Sequence, residues 1–245
     1  MPDNEEVLIV LLPGMDGTGT LFKTFVGLLP HGIDDKIVSY PKDRHMSYAQ
    51  LAELVIDVLP RSTPYVIIAE SYSGPVASIL AAHPVGNLQG VVFVSSFVAF
   101  PCGRLGPWIA KMVPTFLFRG RAPAWILRWL VMDSATPREM ISAVQDAIAS
   151  VRPEVLTRRL RDALNADFAV TLKHCTVRIV YLLSGSDRLL GTRGLRGFLA
   201  ARPDVETVKI EGPHFLLQCA PDSSLTGLLK IGILGDSVTV QPQTQ

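Results

Sequence analysis

The sequence has few cysteines, and their spacing predicts neither a disulfide framework nor a metal site. Cysteine occurs only three times in 245 residues, with no CxxC pair and no metal-type spacing. We therefore expect three free thiols, at Cys102, Cys175 and Cys219. Free thiols are typical of the cytoplasm.

Segments that would direct the chain to or through a membrane are also missing. The first six residues carry acidic side chains and lack the basic region of a secretory signal. No run reaches the roughly 18 apolar residues needed to span a bilayer. The densest stretch, 107–132, is interrupted by four basic residues and by prolines. These absences predict a cytoplasmic location.

Charged residues are scarce. They make up 18% of the chain, against 48% hydrophobic residues, and the formal net charge is +1. This composition is typical of a folded globular protein and not of a disordered one. The low net charge gives no reason to expect nucleic acid as a partner. A chain of 245 residues can form one α/β domain with a fully buried sheet.

Six short runs rich in Val and Ile indicate strands that are buried on both faces. They are 7–12, 36–40, 65–69, 90–95, 178–183 and 205–210. Helical patterns lie between the first four of these runs, and this alternation of strands and helices predicts an α/β fold. Its core would be an open, mostly parallel sheet of about six strands with helices on both faces. Such a sheet binds ligands beyond the carboxyl ends of its strands.

The alternation of strands and helices breaks between residues 100 and 171, where no good strand occurs. Capping boxes are predicted at Ser47 with Gln50 and at Thr136 with Glu139. The second would begin a helix over 137–150, and another helix is expected over 153–165. We interpret 100–171 as a helical cap, inserted into a core domain formed by 1–99 and 172–245.

Ser71 is the predicted nucleophile. It follows the run 65–69 directly, and small residues, Ala69 and Ser73, lie two positions before and after it. This spacing is typical of the sharp strand-to-helix turn that exposes a nucleophilic serine. The same residues also fit a serine-rich turn that caps a helix. Ser73 is a rival nucleophile, although it lies further from the end of the strand.

The loop after the first strand is rich in glycine and could supply part of an oxyanion hole. Glycines at 14, 17 and 19 would let this loop approach a substrate closely. We assign the two N–H donors to Met15 in this loop and to Tyr72, the residue after the nucleophile. A phosphate-binding loop is disfavoured because the Lys-Ser/Thr ending is missing. A purely structural turn remains an alternative.

Asp187 and His214 each follow one of the last two predicted strands. The chain order is therefore Ser, Asp, His, with all three residues at one edge of the sheet. His214 would take the proton of the serine, and Asp187 would orient the imidazole and stabilise its charged form. Asp167 is the best rival acid. The other histidines are weaker candidates as the base: His31, His45, His83 and His174.

Four segments of the chain, taken together, resemble the α/β-hydrolase superfamily, especially its small bacterial esterase and lipase-like members. The resemblance rests on the loop 12–17, the elbow at Ser71, the acid at Asp187 and the loop 212–215, and it covers nearly the whole chain. It implies no metal and no organic cofactor. The family's sheet usually has eight strands, so its antiparallel N-terminal pair is expected to be missing here.

Apolar residues of the cap could line a pocket for the acyl group. The predicted lining consists of Trp108, Met112, Phe116, Trp125 and Trp129, together with Phe215 beside the predicted base. Ordinary packing of the cap on the core would explain the same residues. A third interpretation is that 107–132, with its four basic residues, contacts a membrane surface or an acidic carrier protein.

The sequence therefore predicts a serine hydrolase that cleaves carboxylic esters with short- to medium-chain acyl groups. Its partner would be a small acyl ester, bound covalently to Ser71 during turnover. Acyl transfer to an alcohol and cleavage of an acyl thioester use the same residues and remain alternatives. A binding module without catalysis would require the loss of one of the three residues, and all three are present in the chain.

Overall fold

A computed structural model describes residues 7–234 of this chain. Residues 1–6 and 235–245 lie outside the described residues, so the outer ends of the two predicted core ranges do as well. Within the described part, one six-stranded sheet forms the centre of the molecule, and all its neighbouring strands are parallel. This confirms the predicted α/β fold with an open parallel sheet.

Four of the six strands agree with the predicted runs within one residue, and the second and fourth differ from them by up to three residues. The six strands are β1 (Val7–Leu12), β2 (Ile33–Ile37), β3 (Pro64–Glu70), β4 (Asn87–Val94), β5 (Arg178–Ser184) and β6 (Glu206–Ile210). Their spatial order is β2-β1-β3-β4-β5-β6. Strands β3 and β5 thus flank β4, β6 lies beside β5, and the carboxyl ends of these parallel strands lie at one edge of the sheet.

The bounds predicted for the second strand were wrong. The predicted run 36–40 lies three residues too late, since β2 covers Ile33–Ile37. This strand pairs on one side only, with β1, and four of its five residues are exposed. An edge strand can carry such polar residues. Val38 and Tyr40 are buried apolar residues that were included in the predicted run, but they lie in the loop after the strand.

Eleven α-helices surround the sheet in the described part of the chain. They are α1 (Lys23–Val26), α2 (Tyr48–Ile56), α3 (Gly74–Ala82), α4 (Gly106–Met112), α5 (Ala124–Leu130), α6 (Arg138–Ala149), α7 (Pro153–Asn165), α8 (Ala169–Lys173), α9 (Gly191–Ala201), α10 (Leu216–Cys219) and α11 (Pro221–Lys230). Short 3-10 turns cover Thr20–Phe22, Ser71–Ser73, Gly103–Leu105 and Thr115–Phe118.

Two apolar layers hold these helices on opposite faces of the sheet. In β1, Val10 and Leu12 belong to the layer with α2, α3 and α9, whereas Ile9 and Leu11 belong to the layer with α1 and α11. Successive side chains of a strand point to opposite faces. Both sets are therefore buried, which is why the strands are continuous apolar runs rather than alternating ones.

The helices α4 to α8 lie between β4 and β5 along the chain; α4 to α7 fall within the predicted insertion 100–171, and α8 extends two residues beyond its end. The capping box at Ser47 and Gln50 is present at the start of α2. The one predicted at Thr136 was wrong, because Pro137 is the N-cap of α6 and no side chain caps it. The Thr136 hydroxyl instead donates to Asp133 Oδ1 at 2.9 Å. No described helix is long and apolar enough to cross a membrane.

Candidate active site

Ser71 lies in a strained turn at the end of β3. Its φ of 46° places a non-glycine residue in the left-handed region, which costs on the order of 1–3 kcal/mol and is common at functional sites. A hydrogen bond from the loop after β4 stabilises this turn, because the Ser96 hydroxyl donates to the Ser71 carbonyl at 2.6 Å. The buried Tyr72 ring packs on Tyr48, with ring centroids 4.9 Å apart. The serine side chain is thereby fixed at the edge of the sheet.

Gly74 shows how tightly this turn is packed. A Cβ atom at this position would lie 2.3 Å from both the Phe97 carbonyl oxygen and the Ser96 hydroxyl oxygen. No side chain larger than a hydrogen fits there without moving the backbone of the loop after β4. The sequence Ser73-Gly74-Pro75 thus lets α3 begin directly behind the serine.

His214 and Asp187 meet Ser71 in a continuous row of hydrogen bonds. Nε2 of His214 lies 2.9 Å from Ser71 Oγ, and Nδ1 lies 2.9 Å from Asp187 Oδ2. The imidazole and the carboxylate are almost completely buried, with side-chain exposures of 2% and 1%. The three residues come from the loops after β6, β5 and β3, so the parallel sheet brings them together.

The Asp187 carboxylate is held in its charged form. Burial by itself would raise its pKa, but the hydrogen bond and charge of His214 outweigh this, and the pKa lies below its usual value. Its second oxygen, Oδ1, accepts from the N–H groups of Leu189 and Leu190 at 2.8 and 3.0 Å. A charged acceptor requires a proton on His214 Nδ1, so Nε2 is left to accept the Ser71 proton.

Met15 and Tyr72, the predicted oxyanion donors, lie in the loop after β1 and in the turn after β3. Among the described residues, neither N–H has a hydrogen-bond acceptor. The loop is folded by a bond from the Gly17 N–H to the Gly14 carbonyl at 3.0 Å. Two backbone donors in neighbouring loops are therefore free to bind an oxygen.

Arg159 of α7, which was not among the predicted site residues, fixes this loop. Its guanidinium donates to the carbonyls of Met15 and Asp16 at 2.9 and 2.8 Å and to that of Pro41 at 2.8 Å. The side chain is 2% exposed, and burial lowers its pKa below the usual value. Gly17 is needed here because its φ is +71° and a Cβ would lie 2.5 Å from Arg159 Nη1.

A signal for Arg159 is present in the sequence. Val155, Arg159 and Ala163 are four residues apart, and all three are buried in α7. An arginine within the apolar face of an amphipathic helix must find partners inside the protein. The partners themselves lie more than a hundred residues earlier in the chain, so only the tertiary structure identifies them.

Glu70, next to Ser71, is a second buried group that was not among the predicted site residues. Gln218 of α10 donates to Glu70 Oε2 at 3.3 Å, while Oε1 has no partner among the described atoms. Burial first, and the charge of Asp16 second, raise the pKa of Glu70 to about 8. The group is therefore mainly a neutral acid at neutral pH.

The rival residues have other contacts. The Ser73 hydroxyl is buried, donates to the Pro13 carbonyl at 2.5 Å and lies 2.6 Å from the Tyr40 hydroxyl. Asp167 accepts from the Ala169 N–H at the start of α8. Nε2 of His45 pairs with Asp162 at 2.6 Å. The remaining histidines are exposed: His31, His83 and His174.

Five of the six predicted pocket residues are not enclosed. Their exposed fractions lie between 61% and 76% for Trp108, Met112, Phe116, Trp125 and Trp129. The apolar faces to which they belong point outwards, since other residues of the same helices pack inwards. Phe215 is half-buried, and its ring lies 5.9 Å from that of His214. The Phe215 ring thus lies beside the imidazole of the candidate active site.

The described residues offer no obvious place for a metal ion. No group of three or more His, Cys, Asp or Glu side chains among them could hold one. Cys102, Cys175 and Cys219 are free thiols, as predicted. The groups that the structure brings together at the candidate site are the Ser71 hydroxyl, the His214 imidazole and the Asp187 carboxylate.

Comparison with protein families matches residues 5–222 to the model described as "Alpha/beta hydrolase family". No curated protein sequence matches significantly. The matched segment begins before β1 and ends in α11, so it includes Ser71, Asp187 and His214.

Solved structures share the fold at low sequence identity. One, from a study of carboxylesterases of the thaumarchaeon Nitrososphaera gargenis, has a TM-score of 0.74 at 12% identity and covers 97% of this chain and 94% of that one. MenH from S. aureus has a TM-score of 0.72 at 13% identity, covering 96% and 94%. The enol-lactonase from Burkholderia xenovorans LB400 has a TM-score of 0.67 at 13% identity, covering 93% and 90%. At this identity, the likeness concerns the fold.

Proposed function

Because the chain belongs to the alpha/beta hydrolase family, we propose that it is a serine hydrolase that cleaves carboxylic esters with short- to medium-chain acyl groups. The observation that carries this proposal is the row of hydrogen bonds from Ser71 through His214 to Asp187, 2.9 Å at each step. A carboxylesterase study and an enol-lactonase among the structural neighbours are compatible with ester chemistry.

In the first half of the reaction, Ser71 Oγ attacks the carbonyl carbon of the ester. His214 Nε2 takes the serine proton as the new C–O bond forms, and it then gives this proton to the departing alcohol oxygen. The negative charge of Asp187 stabilises the imidazolium that exists between these two proton transfers. The product of this half is an alcohol and an acyl ester of Ser71.

The carbonyl oxygen becomes negatively charged while the carbon is tetrahedral. The free N–H groups of Met15 and Tyr72 are the proposed donors to this oxygen, and Arg159 keeps the Met15 loop in place through its carbonyls. Donors that are already fixed before reaction cost no reorganisation, and each is worth about 3 kcal/mol of barrier in comparable enzymes.

Water completes the cycle. His214 Nε2 takes a proton from a water molecule, whose oxygen attacks the acyl carbon. The bond to Ser71 Oγ then breaks, and the proton returns to Oγ. The products are a carboxylic acid and the free serine, so no cofactor is consumed in this scheme.

Substitution of Ser71 tests the proposal. We expect Ser71→Ala to reduce hydrolysis of p-nitrophenyl butyrate by at least about a thousandfold, with an unchanged circular dichroism spectrum. Asp187→Asn should reduce kcat on the order of 10³- to 10⁴-fold, since it favours the wrong tautomer of the imidazole. A fluorophosphonate probe should label wild type at Ser71, located by mass spectrometry.

Ser73→Ala is the matched control, since Ser73 is the rival hydroxyl in the same turn. It should still be labelled by the probe at Ser71. Undiminished turnover by Ser71→Ala, or a probe adduct at Ser73, would contradict the assignment. Product analysis with competing alcohols separates hydrolysis from acyl transfer.

A further inference from the structure

Exposed apolar side chains are concentrated in one stretch of this protein. Of the eleven large hydrophobic side chains that are exposed in the described part of the chain, eight lie between residues 105 and 129. We call six of these side chains the apolar patch: Trp108, Met112, Phe116, Leu117, Trp125 and Trp129, each at least 58% exposed. Single exposed apolar residues are normal, but a concentration of them marks an interaction site.

The helices that carry the patch have already buried their inner faces. Ala110 and Val113, in and just after α4, pack against Leu164 of α7. Leu127 of α5 packs in a cluster with Ile141 of α6. Both helices therefore carry exposed apolar side chains on the side opposite to the one that anchors them to the rest of the molecule.

Charge shows what kind of surface fits this face. Residues 101–132 contain five Lys and Arg residues and no Asp or Glu. Lys111 and Arg119 are exposed and have no charged partner among the described side chains, while Arg121 pairs with Asp146 at 2.7 Å. A symmetric dimer through this face would place like charges against each other. The complementary partner is apolar and negatively charged.

We propose that the apolar patch binds the surface of an anionic lipid bilayer. Tryptophan is enriched at the boundary between headgroups and acyl chains, and basic side chains attract anionic headgroups. The helices here are short, so the patch would lie on the bilayer without crossing it. The apolar side chains would enter the boundary region while Lys111 and Arg119 contact the headgroups.

The patch is connected to the candidate active site. Arg188, next to Asp187, donates to the Trp129 carbonyl at 3.0 Å. The Phe215 N–H, next to His214, donates to the Val131 carbonyl at 3.0 Å. The end of α5 is therefore tied to both loops that position the imidazole. Binding to a bilayer would bring the site close to esters held in that bilayer.

Intrinsic fluorescence offers a direct test, because all three tryptophans of the chain belong to the patch. The wild-type protein is mixed with vesicles of equal parts phosphatidylcholine and phosphatidylglycerol, or of phosphatidylcholine alone. We expect a blue shift of the emission and co-sedimentation with the mixed vesicles, and much weaker effects with phosphatidylcholine. Added salt should weaken the binding, since it screens the attraction.

Charge variants measure the electrostatic part. Each basic residue near an anionic surface strengthens binding roughly fivefold, so Lys111→Gln combined with Arg119→Gln should weaken vesicle binding roughly 25-fold. The matched control is Lys36→Gln combined with Lys173→Gln, two exposed lysines outside the patch. The control should bind mixed vesicles like the wild type.

Apolar variants measure the insertion. Met112→Ser combined with Phe116→Ser should weaken vesicle binding at least about tenfold. The variant lacks two large apolar side chains whose transfer from water into the bilayer would favour binding. Val170→Ser combined with Leu199→Ser is the control, since both residues are exposed apolar side chains outside the patch. Their replacement should leave vesicle binding unchanged.

Several results would overturn the proposal. They are no binding to the mixed vesicles, equal losses in the patch and control variants, or binding to an acidic acyl-carrier protein without binding to vesicles. If tryptophan emission is already blue-shifted without lipid and light scattering shows a dimer, the patch is instead an interface with a second copy of this chain. Ser71→Ala should bind vesicles like the wild type, so a failure of lipid binding and a failure of the proposed hydrolysis are distinguishable.

Discussion

Replacement of Glu70 by Gln should remove a pH-dependent loss of stability. The Glu70 side chain is 2% exposed, and one of its oxygens has no hydrogen-bond partner within the described part of the protein. Burial raises its pKa from 4.5 to about 8, with a further contribution from the charge of Asp16 and an opposing one from Gln218. Glutamine has nearly the same shape and cannot ionise, so it should occupy the same space without this penalty.

The sign and size of the effect follow from proton linkage. The folded protein holds the Glu70 proton more tightly than the unfolded chain, so the free energy of unfolding falls as pH rises from 4.5 towards 8. Each unit of pKa difference corresponds to about 1.4 kcal/mol. The wild type should therefore lose on the order of 3–5 kcal/mol across this range relative to the variant.

Urea unfolding at several pH values, followed by circular dichroism, measures this difference. The quantity of interest is the free energy of unfolding of Glu70→Gln minus that of the wild type, which should grow as pH rises. Any constant offset, for example from a new hydrogen bond to Gln218, does not alter this slope. Glu53→Gln, at an exposed position of α2, is the control for loss of a carboxylate. A difference that stays constant with pH would refute the argument.

Two further predictions concern the backbone around the site. Arg159→Met should lower the free energy of unfolding by about 3–5 kcal/mol, since three backbone carbonyls lose their donor, and it should also lower kcat. Urea unfolding and ester hydrolysis measure the two effects, and unchanged values would contradict the role of Arg159. Gly74→Ala should cost about 1–3 kcal/mol and reduce kcat, because its Cβ would lie 2.3 Å from the Phe97 oxygen. Gly197→Ala, whose Cβ would meet only ordinary contact at 3.5 Å, should remain close to wild type in the same assays.

Much of the candidate site could be predicted from sequence because the relevant signals are local. Ser71, Asp187 and His214 each follow a strand, and the carboxyl ends of parallel strands meet at one edge of a sheet. Once the strands are recognised, the order of the residues along the chain suffices to place them together. The second strand was placed three residues late because an edge strand needs little apolar character, and the buried Val38 and Tyr40 follow it.

The exposure of the predicted pocket residues could not be derived in this way. The stretch around Trp108, Trp125 and Trp129 has apolar residues on more than one face, and a sequence pattern does not say which face packs on the core. Only the packing of α4 on α7 and of α5 on α6 decided that these side chains point outwards.

The sequence by itself determined the parallel sheet and the places of Ser71, Asp187 and His214 at the ends of its strands, because strand patterns and turns depend on near neighbours in the chain. Only the tertiary structure decided the contacts of Arg159 with the Met15 loop and of Glu70 with Gln218, which join residues more than a hundred positions apart. Such buried polar groups take whatever partners the packed core brings within reach. Their partners therefore depend on the whole fold and leave no local trace in the sequence.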